Sequence, residues 1–240
     1  MSAAVSVLRA YLLGLVDFDA ALALQRYLVY QVSGERDSAA LVLCEHPPLV
    51  TVGRLGSRAH ILFEPEELTA RRWPVRWVNR GGGCLLHLPG QLAVYPVVAL
   101  DRLGLGVQAY LDRLHEVVLA VLDEFGIKGQ TRRPRPGVWA NGKLIAEVGV
   151  AVRDWVGYYG IYLNVNPDPH PFRRIHCGGA GEPPMTSLER ERRGPLRPGL
   201  VRERVLEHFA RVFRCERTSL FSEHPLLTRR PAAGTVTAHS

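Results

Sequence analysis

The chain has 240 residues, 47% of them hydrophobic, with a formal charge of +7. That is enough for one sizeable α/β core without a second domain, and no run of about 18 apolar residues is present to cross a membrane as a helix. The N-terminus lacks the charged start and cleavage pattern of a secretory signal, so a cytoplasmic location is expected.

In chain order, residues 6–16 read as an apolar strand. Asp17 or Asp19 can cap a helix to about Val32, with Ala20, Leu22, Leu24, Tyr27, Leu28 and Val32 as its apolar face. Residues 39–44 and 49–52 are short strands around the stiff Pro47-Pro48 corner, and residues 75–79 and 92–98 are strands flanking a glycine run. Residues 107–125 form a helix with Tyr110, Leu114, Val117, Val118, Val121 and Leu122 on one period and Gly126 after its end. Residues 137–140 and 144–153 make a hairpin through the primed-turn dipeptide Asn141-Gly142, and residues 158–165 continue the sheet. Residues 200–213 are an amphipathic helix, and from Leu220 the chain reads as a frayed tail, giving one domain over 1–218 and a tail over 219–240. Strands grouped with helices at the ends imply an α+β fold with mixed sheets.

The glycine run carries the chemistry. In Arg80-Gly81-Gly82-Gly83-Cys84-Leu85-Leu86-His87-Leu88-Pro89-Gly90-Gln91, three successive glycines remove every Cβ from a turn. Its amides can then approach a carbonyl or carboxylate without steric penalty. The plainer alternative is a glycine-rich turn with a buried histidine.

Cys44, Cys84, Cys177 and Cys215 show no Cys-x-x-Cys spacing and no pairing pattern of a secreted scaffold, so reduced thiols are expected. His46, His60, His87 and His176 sit at no metal-site spacing with Cys or Asp/Glu, and neither metal nor cofactor is expected. The positive charge comes from arginine clusters at 71–72, 132–135, 173–174 and 190–204, which suit a solvated surface or an acidic protein partner. Nucleic acid is disfavoured, because the clusters lack interleaved aromatics and a binding-module signature.

Other segments agree with the glycine run. Leu43-Cys44-Glu45-His46-Pro47-Pro48-Leu49-Val50-Thr51-Val52-Gly53-Arg54 resembles the EHPP…T.GR segment of the lipoate-pathway octanoyltransferases, and the run from Arg80 to Gln91 resembles their RGG…HGPGQ signature. Gly137-Val138-Trp139, Leu163-Asn164-Val165-Asn166, Cys177-Gly178 and Thr186-Ser187-Leu188 follow in that family's order. The resemblance implies the biotin/lipoate protein ligase-like fold. It also implies transfer of an octanoyl group from the phosphopantetheine thiol of acyl carrier protein, through an enzyme thioester, to a lysine of a lipoyl domain of 2-oxoacid dehydrogenases or of the glycine cleavage H protein. The implied nucleophile is Cys177. The implied substrate-binding residues are Arg80, Gly81, Gly82, Gly83, Cys84, Leu85, Leu86 and His87, with Glu147, Val148 and Gly149 and with Gly160, Ile161 and Tyr162. A monomer that meets no membrane is expected.

The family's activating lysine stands five residues before the glycine that closes its K-I-A-x-x-G strand, where this chain has Leu144 before Gly149. The neighbouring Lys143 would aim away from Cys177 unless a β-bulge turns it inward. Both geometries are open at this level, and Lys143 is the expected catalytic partner if a bulge intervenes. Leu88, Glu147 and Tyr162 each replace a smaller residue of the family pattern, and Tyr159 stands at a usual histidine. A buried Glu147 would need a partner or a proton. Two functions therefore remain: an octanoyltransferase or close acyltransferase, with a shorter acyl group favoured, or a catalytically impaired relative acting in binding or regulation. An ATP-dependent lipoate ligase is a distant third.

Overall fold

The structure is a computed structural model that describes residues 4–132, 137–176 and 184–228. Its elements are β1 (Val5–Leu15), α1 (Phe18–Gly34), β2 (Ser38–Glu45), β3 (Leu49–Val52), α2 (Pro65–Ala70), β4 (Val75–Trp77), β5 (Cys84–His87) and β6 (Gln91–Ala99). They continue as α3 (Val107–Glu124), β7 (Gly129–Thr131), β8 (Gly137–Ala140), β9 (Lys143–Arg153), β10 (Val156–Asn164), α4 (Leu188–Arg192), α5 (Pro198–Val212), β11 (Cys215–Phe221) and α6 (Pro225–Thr228).

Eight strands form one sheet in the order β11-β1-β2-β6-β10-β9-β8-β7, and β4-β3-β5 form a second, three-stranded sheet. β1 runs parallel to both β2 and β11, while β6, β8, β9 and β10 join their neighbours antiparallel. This is the mixed-sheet α+β class expected from the element pattern. α3 and α5 cover one face of the large sheet, burying Leu114, Val118, Val121 and Phe209 against Val94, Val148 and Ile161. On the other face, α1 and the small sheet meet Val42, Ala93, Tyr95 and Tyr162. Asp17 caps α1 by accepting from the Ala20 amide, as its position before the apolar period requires.

Three expectations change. Residues 84–87 form a strand, β5, pairing antiparallel with β3, so only the glycines and Arg80 make the turn. Alternation is invisible in Cys-Leu-Leu-His because both faces of β5 are buried. The buried face of α1 is Phe18, Ala21, Leu24, Gln25, Leu28, Val29 and Val32, while Tyr27 is exposed. Finally, the chain does not fray at Leu220: β11 pairs in parallel with β1 as far as Phe221, which stacks on Tyr11 at 5.1 Å, and His224 packs edge-on against Tyr11 and Tyr27. β11 is a largely exposed edge strand with no apolar alternation, so its pattern gives no strand signal.

Candidate functional site

The glycine turn lies between the two sheets, clamped on both sides. The Gly81 amide donates to Val150 O of β9 at 2.8 Å, and Gly53 N donates to Gly83 O at 3.0 Å. A Cβ on Gly149 would come within 2.7 Å of Gly81 O, and one on Gly53 within 2.5 Å of Gly82 O. These approaches explain why glycine stands at Gly149 on β9 and at Gly53 just past β3. Gly82 has φ +84°, a left-handed value that a side chain would strain. Gly160 serves the neighbouring strand pair, since a Cβ there would meet Val94 O at 2.3 Å.

The turn aims Arg80 inward. Its side chain is buried, donates to Thr51 O at 3.2 Å, to Thr51 Oγ1 at 2.8 Å and to Gly81 O at 2.9 Å, and lies 5.8 Å from the Tyr162 ring centre. Thr51 Oγ1 is also 2.9 Å from His87 Nε2. The His87 ring packs edge-on to Tyr162 at 4.9 Å, and Tyr162 packs against Tyr95 at 5.9 Å. His46 completes the group: it donates from Nδ1 to Val16 O at 2.7 Å and accepts at Nε2 from the Tyr95 hydroxyl at 2.7 Å. Sequence patterning gave Thr51, His46 and Tyr95 no site role. Tyr95 is the hardest to find, being one ring within the apolar strand 92–98.

Burial sets the protonation states. It lowers His46 to about 4, against the raising influence of Val16 O and Asp17. His87 is held well below its ordinary value by burial, with His46 and Arg80 adding repulsion. Burial raises Tyr162 to about 12, partly offset by Arg80. Cys44, 3.8 Å from His46 Nε2, is pushed far up by burial and by Glu45, so it stays a thiol. Cys84 is buried and donates to Ser57 O at 3.3 Å. Neither thiol is set up as a nucleophile.

Other predicted residues line the adjoining strands. Gly149 and Gly160 are paired across β9 and β10, as are Val148 with Ile161 and Glu147 with Tyr162. Val148 and Ile161 point to the α3/α5 side, so they support the site from behind. Leu85 packs with the site-face core, and Leu86 and Leu88 pack under the small sheet. Glu147 is half-buried, so the case of a fully buried carboxylate does not arise.

Cys177 lies outside the described residues, but both ends of its segment are anchored. On one side His176 N donates to His60 O at 2.8 Å, and Ile175 bridges to Ile61. On the other, Leu144 bridges to Met185, Leu144 N donates to Pro184 O at 3.0 Å and Thr186 N donates to Leu144 O at 2.9 Å. A polar relay then ties this anchor to the glycine run: Gln91 Nε2 donates to Asn164 Oδ1 at 3.0 Å and Asn164 Nδ2 donates to Thr186 O at 3.1 Å. Gly90, at φ +87°, receives the same strand, because Val165 N and Asn166 N both donate to its carbonyl at 3.0 Å.

A bulge does interrupt β9. Val138 pairs with Ala146 but Trp139 pairs with Leu144, which leaves Ile145 as the extra residue. Ile145 and Ala146 both join the α3/α5 core, so alternation restarts and Leu144 turns to the face of Gly137 and Gly149. Lys143 falls on the opposite side, exposed, with its amine 3.7 Å from a Glu191 carboxylate. Glu191 is held below the ordinary carboxylate range: burial raises it, but hydrogen bonds from Thr186 and Asn141 and the Lys143 charge outweigh that.

Residues 17–210 match the family model of the lipoyl protein ligase A/B catalytic domain. The octanoyltransferase of Geotalea uraniireducens is 40% identical over 198 residues, 82% of this chain and 89% of its own length. That of Geobacter metallireducens is 39% identical over 197 residues, again 82% and 89%. Among solved structures, lipoate-protein ligase A bound with ATP superposes with a TM-score of 0.75 at 15% identity, over 90% of this chain and 89% of its own. Protein Ta0514 of T. acidophilum with bound lipoic acid gives 0.67 at 15% identity, over 90% of each chain. These structures share the fold.

Proposed function

The chain belongs to the lipoyl protein ligase A/B catalytic-domain family and is an octanoyltransferase of lipoate biosynthesis, and we propose that it works by double displacement at Cys177. In this reading the Cys177 thiolate attacks the carbonyl carbon of an octanoyl thioester on acyl carrier protein. The C–S bond to the carrier breaks and the departing thiolate takes a proton. The amine of a lipoyl-domain lysine then attacks the new thioester, an amide forms, and the Cys177 thiolate leaves as the amine loses its proton. Two-step transfer lets each bulky protein dock once.

The observation that carries this reading is the coverage of the match, 40% identity across 82% of the chain, with the residues of the glycine run, the Gln91–Asn164–Thr186 relay and both anchors of the Cys177 segment all in the matched part. His46 and His87 are held in the neutral form at pH 7 by burial and supply hydrogen bonds and shape to the site. The proton partner in this reading is Lys143, which stands on the face of β9 opposite Gly149 and must leave Glu191 and pass the Leu144 position to reach the site. Incubation with octanoyl-acyl carrier protein followed by mass spectrometry tests the scheme. An octanoyl mass on Cys177, absent in Cys177→Ser, is the expected result, and an acyl group on Cys44 or Cys84 would overturn it.

A further inference from the structure

A cavity opens on the site face of the large sheet, at the other end of β9 and β10 from Leu144 and Asn164. It is a cleft of about 620 Å³ between α1, the segment after β4 and the β9–β10 hairpin. Its floor is built by a break in strand alternation. Tyr159 has φ +57°, its amide donates to Gln25 Oε1 of α1 at 2.9 Å, and its ring stacks on Tyr158 at 5.1 Å. Successive strand residues ordinarily face opposite ways, yet both tyrosines pack on the α1 side. The result is a stacked, buried pair at the base of the cleft, Tyr158 7% and Tyr159 1% exposed.

The walls are polar and cationic. Arg26 projects from α1 and Arg153 from the end of β9, and no acidic residue lines the cleft. Arg153 meets only Asp154, at 3.5 Å with both side chains over 70% exposed, and Arg26 has no ion pair among the described residues. Asn79 donates to the Tyr158 hydroxyl at 2.6 Å, which leaves the phenolic proton and the Asn79 carbonyl oxygen for a ligand. A cleft of drug-like volume with an apolar floor and a few convergent polar groups is the form of a small-molecule site. Arg26, without an ion pair among the described residues, and Arg153, paired only with its solvent-exposed neighbour Asp154, favour an anion, and planar guanidinium geometry suits carboxylate or phosphate.

We propose that this cleft binds a small organic anion, its carboxylate or phosphate held by Arg26 and Arg153 and its apolar body against the exposed Trp77 and Val152. The site lies outside the acyl-transfer residues and does not depend on the double-displacement reading. It adjoins them, since Asn79 precedes Arg80 and Tyr159 precedes Gly160.

Calorimetric titration of the full chain tests the proposal, with adenosine monophosphate and 3-phenylpropanoate as the phosphate and carboxylate probes and with adenosine, 3-phenylpropanol and inorganic phosphate as controls. Saturable binding of at least one organic anion is expected, at least tenfold tighter than its neutral counterpart and than inorganic phosphate. The double variant Arg26→Ala, Arg153→Ala should weaken it at least tenfold, and Cys177→Ser should leave it unchanged. The proposal is overturned by equal binding of the neutral compounds, by full affinity in the double variant, or by no saturable binding of either anion at millimolar concentration. Binding of an acidic carrier protein at these arginines without either small anion would overturn it too.

Discussion

The two faces of the eight-stranded sheet are built on opposite plans. The α3/α5 face is an aliphatic and aromatic core in which Leu114, Val118, Val121, Phe209 and Phe213 meet Val94, Val148 and Ile161. The site face buries Arg80, His87, His46, Thr51, Gln91 and Asn164 among rings, and each makes at least one hydrogen bond. Apolar packing tolerates volume-conserving exchange, whereas a polar network loses its worth when one member goes. The first face should therefore carry stability alone and the second stability together with function.

The largest expected effects test that division directly. Leu114→Ala should cost about 2–5 kcal/mol of stability in a urea melt, while transfer per folded molecule stays near that of the parent. Arg80→Met leaves Thr51 and Gly81 without their charged donor, with an expected loss of about 3 kcal/mol. Transfer should fall at least a hundredfold even where the variant is fully folded. If the two variants lose activity to the same degree per folded molecule, the division between faces is broken.

Tyr162→Ala sharpens the comparison within the site face. Tyr162 is wedged among His87, Tyr95 and Arg80, and removing a large buried ring costs about 3 kcal/mol. Each substrate methylene that finds room is worth about 0.8 kcal/mol. The parent should transfer octanoyl best, and the variant should raise the dodecanoyl-to-octanoyl rate ratio at least tenfold. An identical chain-length profile in both proteins would remove Tyr162 as the determinant.

The site face should also be the acid-sensitive one. His46 is lowered to about 4 in the fold by burial, against about 6.5 in the unfolded chain. The unfolded state binds the proton first, so stability is full above pH 6.5 and declines as pH falls toward 4, by about 3 kcal/mol from this residue. His87 is depressed in the same direction and adds to the loss. Denaturant melts between pH 7.5 and 4.5 should show the decline, and His46→Phe should flatten it. A variant with the same pH slope as the parent would place the acid sensitivity elsewhere.

These faces also differ in how far the sequence discloses them. α3 and the β8–β9 hairpin follow from local physics: a 3.6-residue apolar period, and an Asn-Gly dipeptide that tolerates φ of +49° and +76°. The glycine run is legible through motif order, yet the partners that tie it to the anchors at His176 and Thr186 are not. Thr51, Tyr95 and Asn164 reach Arg80, His46 and Gln91 across 29, 49 and 73 positions of chain. No local pattern encodes such pairings. β5 and β11 fail for the opposite reasons, one buried on both faces and the other exposed along its length.

The smallest stability effect belongs to Lys143, the proposed proton partner. Lys143 stands at the seam between the faces, and the bulge at Ile145 decides which of two neighbours looks into the site. The pair joins an exposed Lys143 to a buried Glu191 side chain that Thr186 and Asn141 also hydrogen-bond, so its loss should cost about 1 kcal/mol and Lys143→Ala should unfold slightly below the parent's denaturant midpoint. Its effect on Cys177 is separable. If the ammonium reaches the sulfur it lowers the thiol pKa, so the variant should alkylate more slowly at neutral pH and recover at higher pH. Parent-like alkylation at every pH would assign Lys143 to the Glu191 contact alone. Leu144→Lys then becomes the decisive variant, because it returns an amine to the face of Gly149. A rise in transfer with that variant would show that the bulge had turned the activating position over to leucine.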